Sequence, residues 1–262
     1  MTLRCKKIGM LTVTIFITAL ALGAGAPVSN KSSAITADKA QAALKEGNAR
    51  FAAGKAQNPN STLARVADTA RNGQHPIAAV LACSDSRVPV ERIFDQGIGD
   101  VFVLRVAGNV ADTDEIGSIE YATQYLSTPL VVVLGHTDCG AVSAVAAETQ
   151  VEGSLQLLLD HIRPAVDKVR QEHPDAGSQT IVPAAIRANI WQSIEDILTT
   201  SDAISDMVKS GKVKIVGALY DVSTGKVEWM GEHPEQAELT GAQELESSAP
   251  AEEKLPAGAA EQ

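Results

Sequence analysis

The chain has 262 residues, 45% of them hydrophobic and 21% charged, a balance that supports one sizeable apolar core and therefore one main domain. Against 32 Asp and Glu stand 22 Lys and Arg, so the formal net charge is -10, which excludes a nucleic-acid backbone or an anionic membrane surface as the natural partner. A small neutral or anionic ligand stays compatible, because one local cation outweighs the global sign at close range.

The first 26 residues read as an export signal. Arg4, Lys6 and Lys7 make a basic start, Ile8 to Leu22 is an apolar run softened by Thr12, Thr14 and Thr18, and Ala24-Gly25-Ala26 offers a small-residue cleavage site. An uncleaved anchor is the rival, since no charge occurs from Ile8 to Asn30. Cleavage removes three cations and no anions, so the mature balance is 19 minus 32, or -13. The expected compartment is the periplasm or an equivalent lumen, with no stable membrane association after cleavage. Cys5 leaves with the signal, and only Cys83 and Cys139 remain.

Residues 27–35 form a linker, and 36–231 carry the folded domain. Thr36 to Gly54 is an amphipathic helix with Leu44 and Phe51 on its apolar side, read as an arm packed on the domain or on a second subunit. A polar Pro/Asn loop separates it from the first strand, Ile77 to Ala82 (IAAVLA). Val101 to Val106 (VFVLRV), Leu130 to Leu134 (LVVVL) and Val213 to Leu219 (VKIVGAL) are further buried strands, the last leading through an STG turn into a hairpin strand, Lys226 to Met230. Between them lie helical patterns at Ile116–Leu126, Ser154–Gln171 and Ala184–Lys209. Strands alternating with helices give an α/β fold with a mostly parallel central sheet flanked by helices. From Glu232 to Gln262 eight acidic residues and one lysine, with few large apolar side chains, read as a disordered tail.

In a parallel sheet, ligands sit beyond the carboxyl ends of the strands. Cys83 and Asp85 follow one such end in CSDSR, and His136 and Cys139 follow another in GHTDCG. Two thiolates and an imidazole are soft to borderline metal donors, and a Cys2His set with an open fourth position is a catalytic zinc arrangement. Two cysteines in an oxidising compartment also commonly pair, so a non-catalytic exported protein with a Cys83–Cys139 disulfide stays open at this point.

The blocks CSDSRVPVERIFDQGIGDVFVLRVAGNV (Cys83 to Val110), GSIEYA (Gly117 to Ala122) and VVVLGHTDCGAV (Val131 to Val142) resemble the β-class carbonic anhydrases. ANIWQSI and VKIVGALYDVSTGKV continue the likeness, which spans about Thr36 to Met230. Val90 and the acidic tail depart from the family pattern. The resemblance implies one Zn2+ per chain held by Cys83, His136 and Cys139, an Asp85–Arg87 dyad beside it, and reversible hydration of CO2 to bicarbonate and a proton. It implies Gln74, Phe102 and Tyr121 as lining of the substrate pocket, and a homodimer or a multiple of dimers. Val80 stands where the bicarbonate-regulated branch has a tryptophan, and Gln74 matches the plant-like branch. The expectation is therefore an open zinc site, with Asp85 paired to Arg87 and no cooperative bicarbonate inhibition. The same fold could instead hydrolyse a CO2-like molecule such as carbon disulfide or carbonyl sulfide. Arg105, inside an apolar strand, is expected to have a buried partner. His75, His161, His173 and His233 are expected to face solvent, with His75 the first to test as a proton shuttle.

Overall fold

The computed structural model describes residues 35–241. The export signal, nearly all of the linker and the tail beyond residue 241 lie outside the described residues.

The sheet has five strands in the order β2-β1-β3-β4-β5: β1 (Ala78–Ala82), β2 (Val101–Arg105), β3 (Leu130–His136), β4 (Lys214–Tyr220) and β5 (Val227–Gly231). The first four pair in parallel and β5 closes one edge antiparallel to β4. β1 and β3 are buried at every position, which is why they read as unbroken apolar runs. Their side chains alternate between two cores. Ala79, Leu81, Val131, Val133 and Ile215 face the larger core, and Val80, Ala82, Val132, Leu134 and Val216 the smaller.

The smaller core is covered by α1 (Ala37–Ala52) and α3 (Val90–Ile93). The Thr36 hydroxyl caps α1, whose Ala40 and Leu44 are fully buried, and Asn48 donates to the carbonyls of Ile93 and Gly225. The arm thus packs on its own domain. The supposed loop after it contains a helix, α2 (Leu63–Asn72), capped by Thr62. None of its residues is buried, although Leu63, Val66, Ala67 and Ala70 recur at helical spacing; Arg65 ties it down by donating to Ile98 O and Asp100.

The larger core lies under α4 (Thr113–Glu120), α5 (Gly140–Ala146), α6 (Ser154–Asp160), α7 (Arg163–Glu172), α8 (Ser178–Thr200) and α9 (Asp202–Lys209). Three helical patterns are each divided. Past Glu120 the helix of 116–126 widens into a π turn, Tyr121–Tyr125. The 154–171 pattern breaks before Pro164, which lacks the N–H that continuation requires. The 184–209 pattern breaks at Ser201, whose extended backbone ends α8 and whose hydroxyl accepts from Ile204 N to start α9.

The tail begins later than Glu232. Residues 232–241 include α10 (Gln236–Leu239); His233 meets the Trp191 ring edge-on at 5.4 Å, and Lys209 donates to Gly241 O at 3.0 Å. These local contacts override the acidic composition. Helix α8 sits close on the sheet because Gly135 and Gly217 lack side chains. A Cβ on Gly135 would lie 2.6 Å from Ile190 Cγ1, and one on Gly217 2.9 Å from Ile190 Cγ2. No helix among the described residues is long and apolar enough to cross a membrane.

Candidate metal centre

Parallel pairing aligns the strand ends: Ala82 lies beside Leu134, one step before Cys83 and two before His136. His136 is the last residue of β3 and registers with Tyr220, so the ladder itself fixes its backbone. Thr137 and Asp138 then turn the chain, Asp138 in the left-handed region at φ 55, and Cys139 occupies the N-cap of α5. The result is one cluster, Cys83, His136 and Cys139, with donor atoms all within 4.8 Å of one another and all three residues buried.

His136 Nδ1 lies 2.8 Å from Thr137 O. A carbonyl only accepts, so Nδ1 carries the proton and Nε2 presents its lone pair. That Nε2 is fully buried and has no hydrogen-bond partner. An orphaned buried nitrogen facing two sulfurs is what a metal ligand looks like before the metal is counted, and the donor set suits zinc. Both cysteines are free thiols, so the disulfide reading is not supported by this geometry.

The two sulfurs are not equivalent. The neighbouring Cys139 thiol, His136 and the N–H groups of Gly108 and Asp85 outweigh burial and pull the Cys83 thiol down to about 4. Cys139, beside that thiolate and itself buried, is pushed up. Both sulfurs must lose their protons to hold a metal, which a dication favours.

Asp85 is gripped beside the cluster. Arg87 donates from Nε to Oδ1 at 3.0 Å and from Nη2 to Oδ2 at 2.7 Å, and its own N–H reaches Oδ1 at 2.9 Å. This fork holds the carboxyl well below the usual carboxylate range. Asp85 Oδ2 stands 3.9 Å from His136 Nε2, adjacent to the three-donor cluster. Arg87 Nη2 also donates to Asp138 O at 3.0 Å, so one side chain ties the two ligand-bearing loops together.

Arg105 has the buried partner expected of it in Cys83, met through the backbone. Its own side chain is exposed, Nε donating to Cys83 O at 3.1 Å and Nη2 to Asp85 O at 2.5 Å. The only hint of it in the sequence was a charge interrupting an apolar strand. Asn189 and Gly108 escaped sequence reading altogether. Phe102 and Tyr121 meet with ring centroids 6.1 Å apart, Tyr121 stacking further on Tyr125. Gln74 stands exposed before β1, and no hydrogen bond among the described residues ties it to the cluster. His75 and His173 are exposed as expected, whereas His161 and His233 are half-buried, His161 lying 3.5 Å from Asp112 and His233 against Trp191.

The sequence pattern of the family described as carbonic anhydrase matches residues 78–227. Carbonic anhydrase 2 of Mycobacterium tuberculosis is 39% identical over 188 residues, covering 70% of this chain and 88% of that protein. The solved β-carbonic anhydrase CafA of Aspergillus fumigatus superposes with a TM-score of 0.62 at 28% identity, covering 80% of this chain and 98% of that one. A structure from a study of two tetrameric β-carbonic anhydrases of Sordaria macrospora shares the fold, with a TM-score of 0.57 at 24% identity, covering 74% of this chain and 98% of that one. With more than half of its length inside that family's pattern and a relative 39% identical along 70% of it, the chain belongs to the β-class carbonic anhydrases, whose family-level reaction is the hydration of CO2.

Proposed function

We propose that this chain interconverts CO2 and bicarbonate at a zinc ion held by Cys83, His136 and Cys139. The observation that carries the reading is the convergence of these three buried donors beside a carboxylate that Arg87 keeps to itself. Bound there, zinc supplies the Lewis acidity that lowers the pKa of water from 15.7 to about 7 and so makes a nucleophile at neutral pH.

The protein's own groups do the rest. A free carboxylate next to zinc is itself a good ligand, so Asp85 must be restrained. The Arg87 fork would keep it from competing for a metal held by the three donors. From there Asp85 would accept a hydrogen bond from a water beside the cluster and orient it toward CO2. The Val80 side chain, buried in β1, has no N–H to offer a regulatory anion, which supports non-cooperative behaviour toward bicarbonate. Phe102 and Tyr121 supply an apolar wall for CO2, and Gln74 a donor to its oxygen.

The mature enzyme is exported, on the strength of the ordered basic, apolar and Ala-x-Ala segments. It assembles from dimers, in keeping with the tetrameric relatives of the same fold and with the open β2 edge beside exposed Tyr121 and Tyr125. Stopped-flow CO2 hydration with metal analysis of the purified chain tests the central claim. One zinc per chain with rapid hydration is expected. Zinc without CO2 hydration, but with carbon disulfide turnover, would transfer the same site to the other substrate.

A further inference from the structure

Helix α8 turns an almost wholly apolar face to the sheet, through Ile186, Ile190, Ile194 and Ile197. Two polar side chains interrupt it, Asn189 and Ser193, each 1% exposed and one turn apart. Both point at the short turn Ala107–Asn109. Asn189 Nδ2 donates to Gly108 O at 2.7 Å and Ser193 Oγ to Asn109 O at 2.9 Å. On the other side of that turn, Gly108 N–H points at Cys83 Sγ, 3.2 Å away and buried.

The carbonyl that Asn189 holds and the N–H that meets the sulfur flank a single Cα. Gly108 sits at φ 75, in the left-handed region, where a glycine is free to leave for several other conformations unless something fixes it. A side chain would serve poorly, because a Cβ there would lie 2.5 Å from Ile162 Cδ1. The Asn189 amide does the fixing from outside. It does so at a cost: Asn189 Oδ1 is buried without a protein partner. A core arranged for stability alone would carry an apolar residue at 189.

We infer that Asn189 is a positioning residue for the metal centre, acting through Gly108 to hold an N–H on the Cys83 thiolate. The inference rests on Cys83 being a metal ligand. Its effect is on the sulfur: an N–H held in line withdraws charge from the thiolate and fixes the direction of its lone pairs, as outer groups do for other metal ligands. Ser193 serves as an internal control, since it is equally buried on the same helix but grips the carbonyl one residue further from the sulfur contact.

The test uses the full-length zinc protein and follows zinc transfer to excess chromogenic chelator, together with the sulfur-to-metal charge-transfer band of the cobalt-substituted form. Asn189→Leu should release zinc about tenfold faster, at the low end of what outer-shell losses produce, and should shift the cobalt band. Ser193→Ala should stay within about twofold of the parent with an unmoved band, even if both variants lose similar thermal stability. Asn189→Ser, which is smaller and still polar, repeats the measurement should the leucine variant fold poorly. Unchanged release and band position in the Asn189 variants, or equal acceleration in Ser193→Ala, overturns the inference while leaving the zinc site standing. A parent chain that binds no zinc overturns both.

Discussion

The two strand ends that build the centre are held by different means. After β3, secondary structure places the ligands: His136 belongs to the ladder with β4, and Cys139 holds the N-cap position of α5. After β1 one last pair of backbone bonds brackets Cys83, from Val106 N to Ala82 O and from Ser84 N to Val106 O, and from there Cys83 and Asp85 are held by groups reaching in, Arg105 on two carbonyls, Arg87 on the carboxylate and Gly108 on the sulfur. A ligand set by the ladder is as rigid as the sheet. One set by side chains can be loosened without touching the fold, so the β1 end is where metal retention and catalysis can be separated.

The largest effect should come from the β3 end. Cys139→Ser should abolish both bound zinc and CO2 hydration, because a serine hydroxyl is a poor substitute for a thiolate and the adjacent Asp85 carboxylate is held by Arg87; full metal occupancy in this variant would reject the ligand assignment. At the β1 end Arg87→Ala should keep zinc while activity falls about 100-fold, the size expected when an oriented acceptor is lost. Loss of metal along with activity would show that the two ends are held alike. Arg105→Met, which keeps the apolar stem and removes the carbonyl clamp, should lower activity roughly tenfold with stability changed by less than about 1 kcal/mol, since the side chain is exposed. A cooperative drop in melting temperature instead would make Arg105 a fold residue.

The smallest effect is that of pH on the dyad. The folded Asp85 carboxyl is held below its unfolded value, so the pair's contribution is complete above that value and fades only as pH falls through the lowered one. The Arg87 Nε–H resonance should therefore stay put from pH 8 down to about 5, above the ordinary aspartate value of about 3.9. Movement within that window would mean the fork is open.

The same contrast explains what could be read from sequence. β1, β3 and β4 were legible because strands buried on both faces are continuous apolar runs, and the ligands stood out because polar Cys, Asp and His groups directly follow them. Helix breaks were not legible, since the apolar spacing of α8 runs on into α9 across Ser201. α2 carries helical spacing in its few apolar residues but buries nothing, so it stands out little from the polar loop around it. The supports of the β1 end were hidden for a different reason. Arg105 and Asn189 act on backbone atoms 22 and 81 residues away, and a backbone carbonyl leaves no trace in the sequence of the residue that owns it.

Parallel pairing of β1 with β3 also sets a schedule for folding. Cys83 and His136 are 53 residues apart (136 minus 83), and β2 with its flanking helices lies between them in the chain although it pairs on the far side of β1. Closing a loop of that length is entropically unfavourable until the Ala79–Val131 ladder rewards it. The three donors therefore become neighbours only after the central strands have zipped. Metal capture at this site would then be a late event, locking a sheet already formed and slowing its unfolding rather than guiding its assembly.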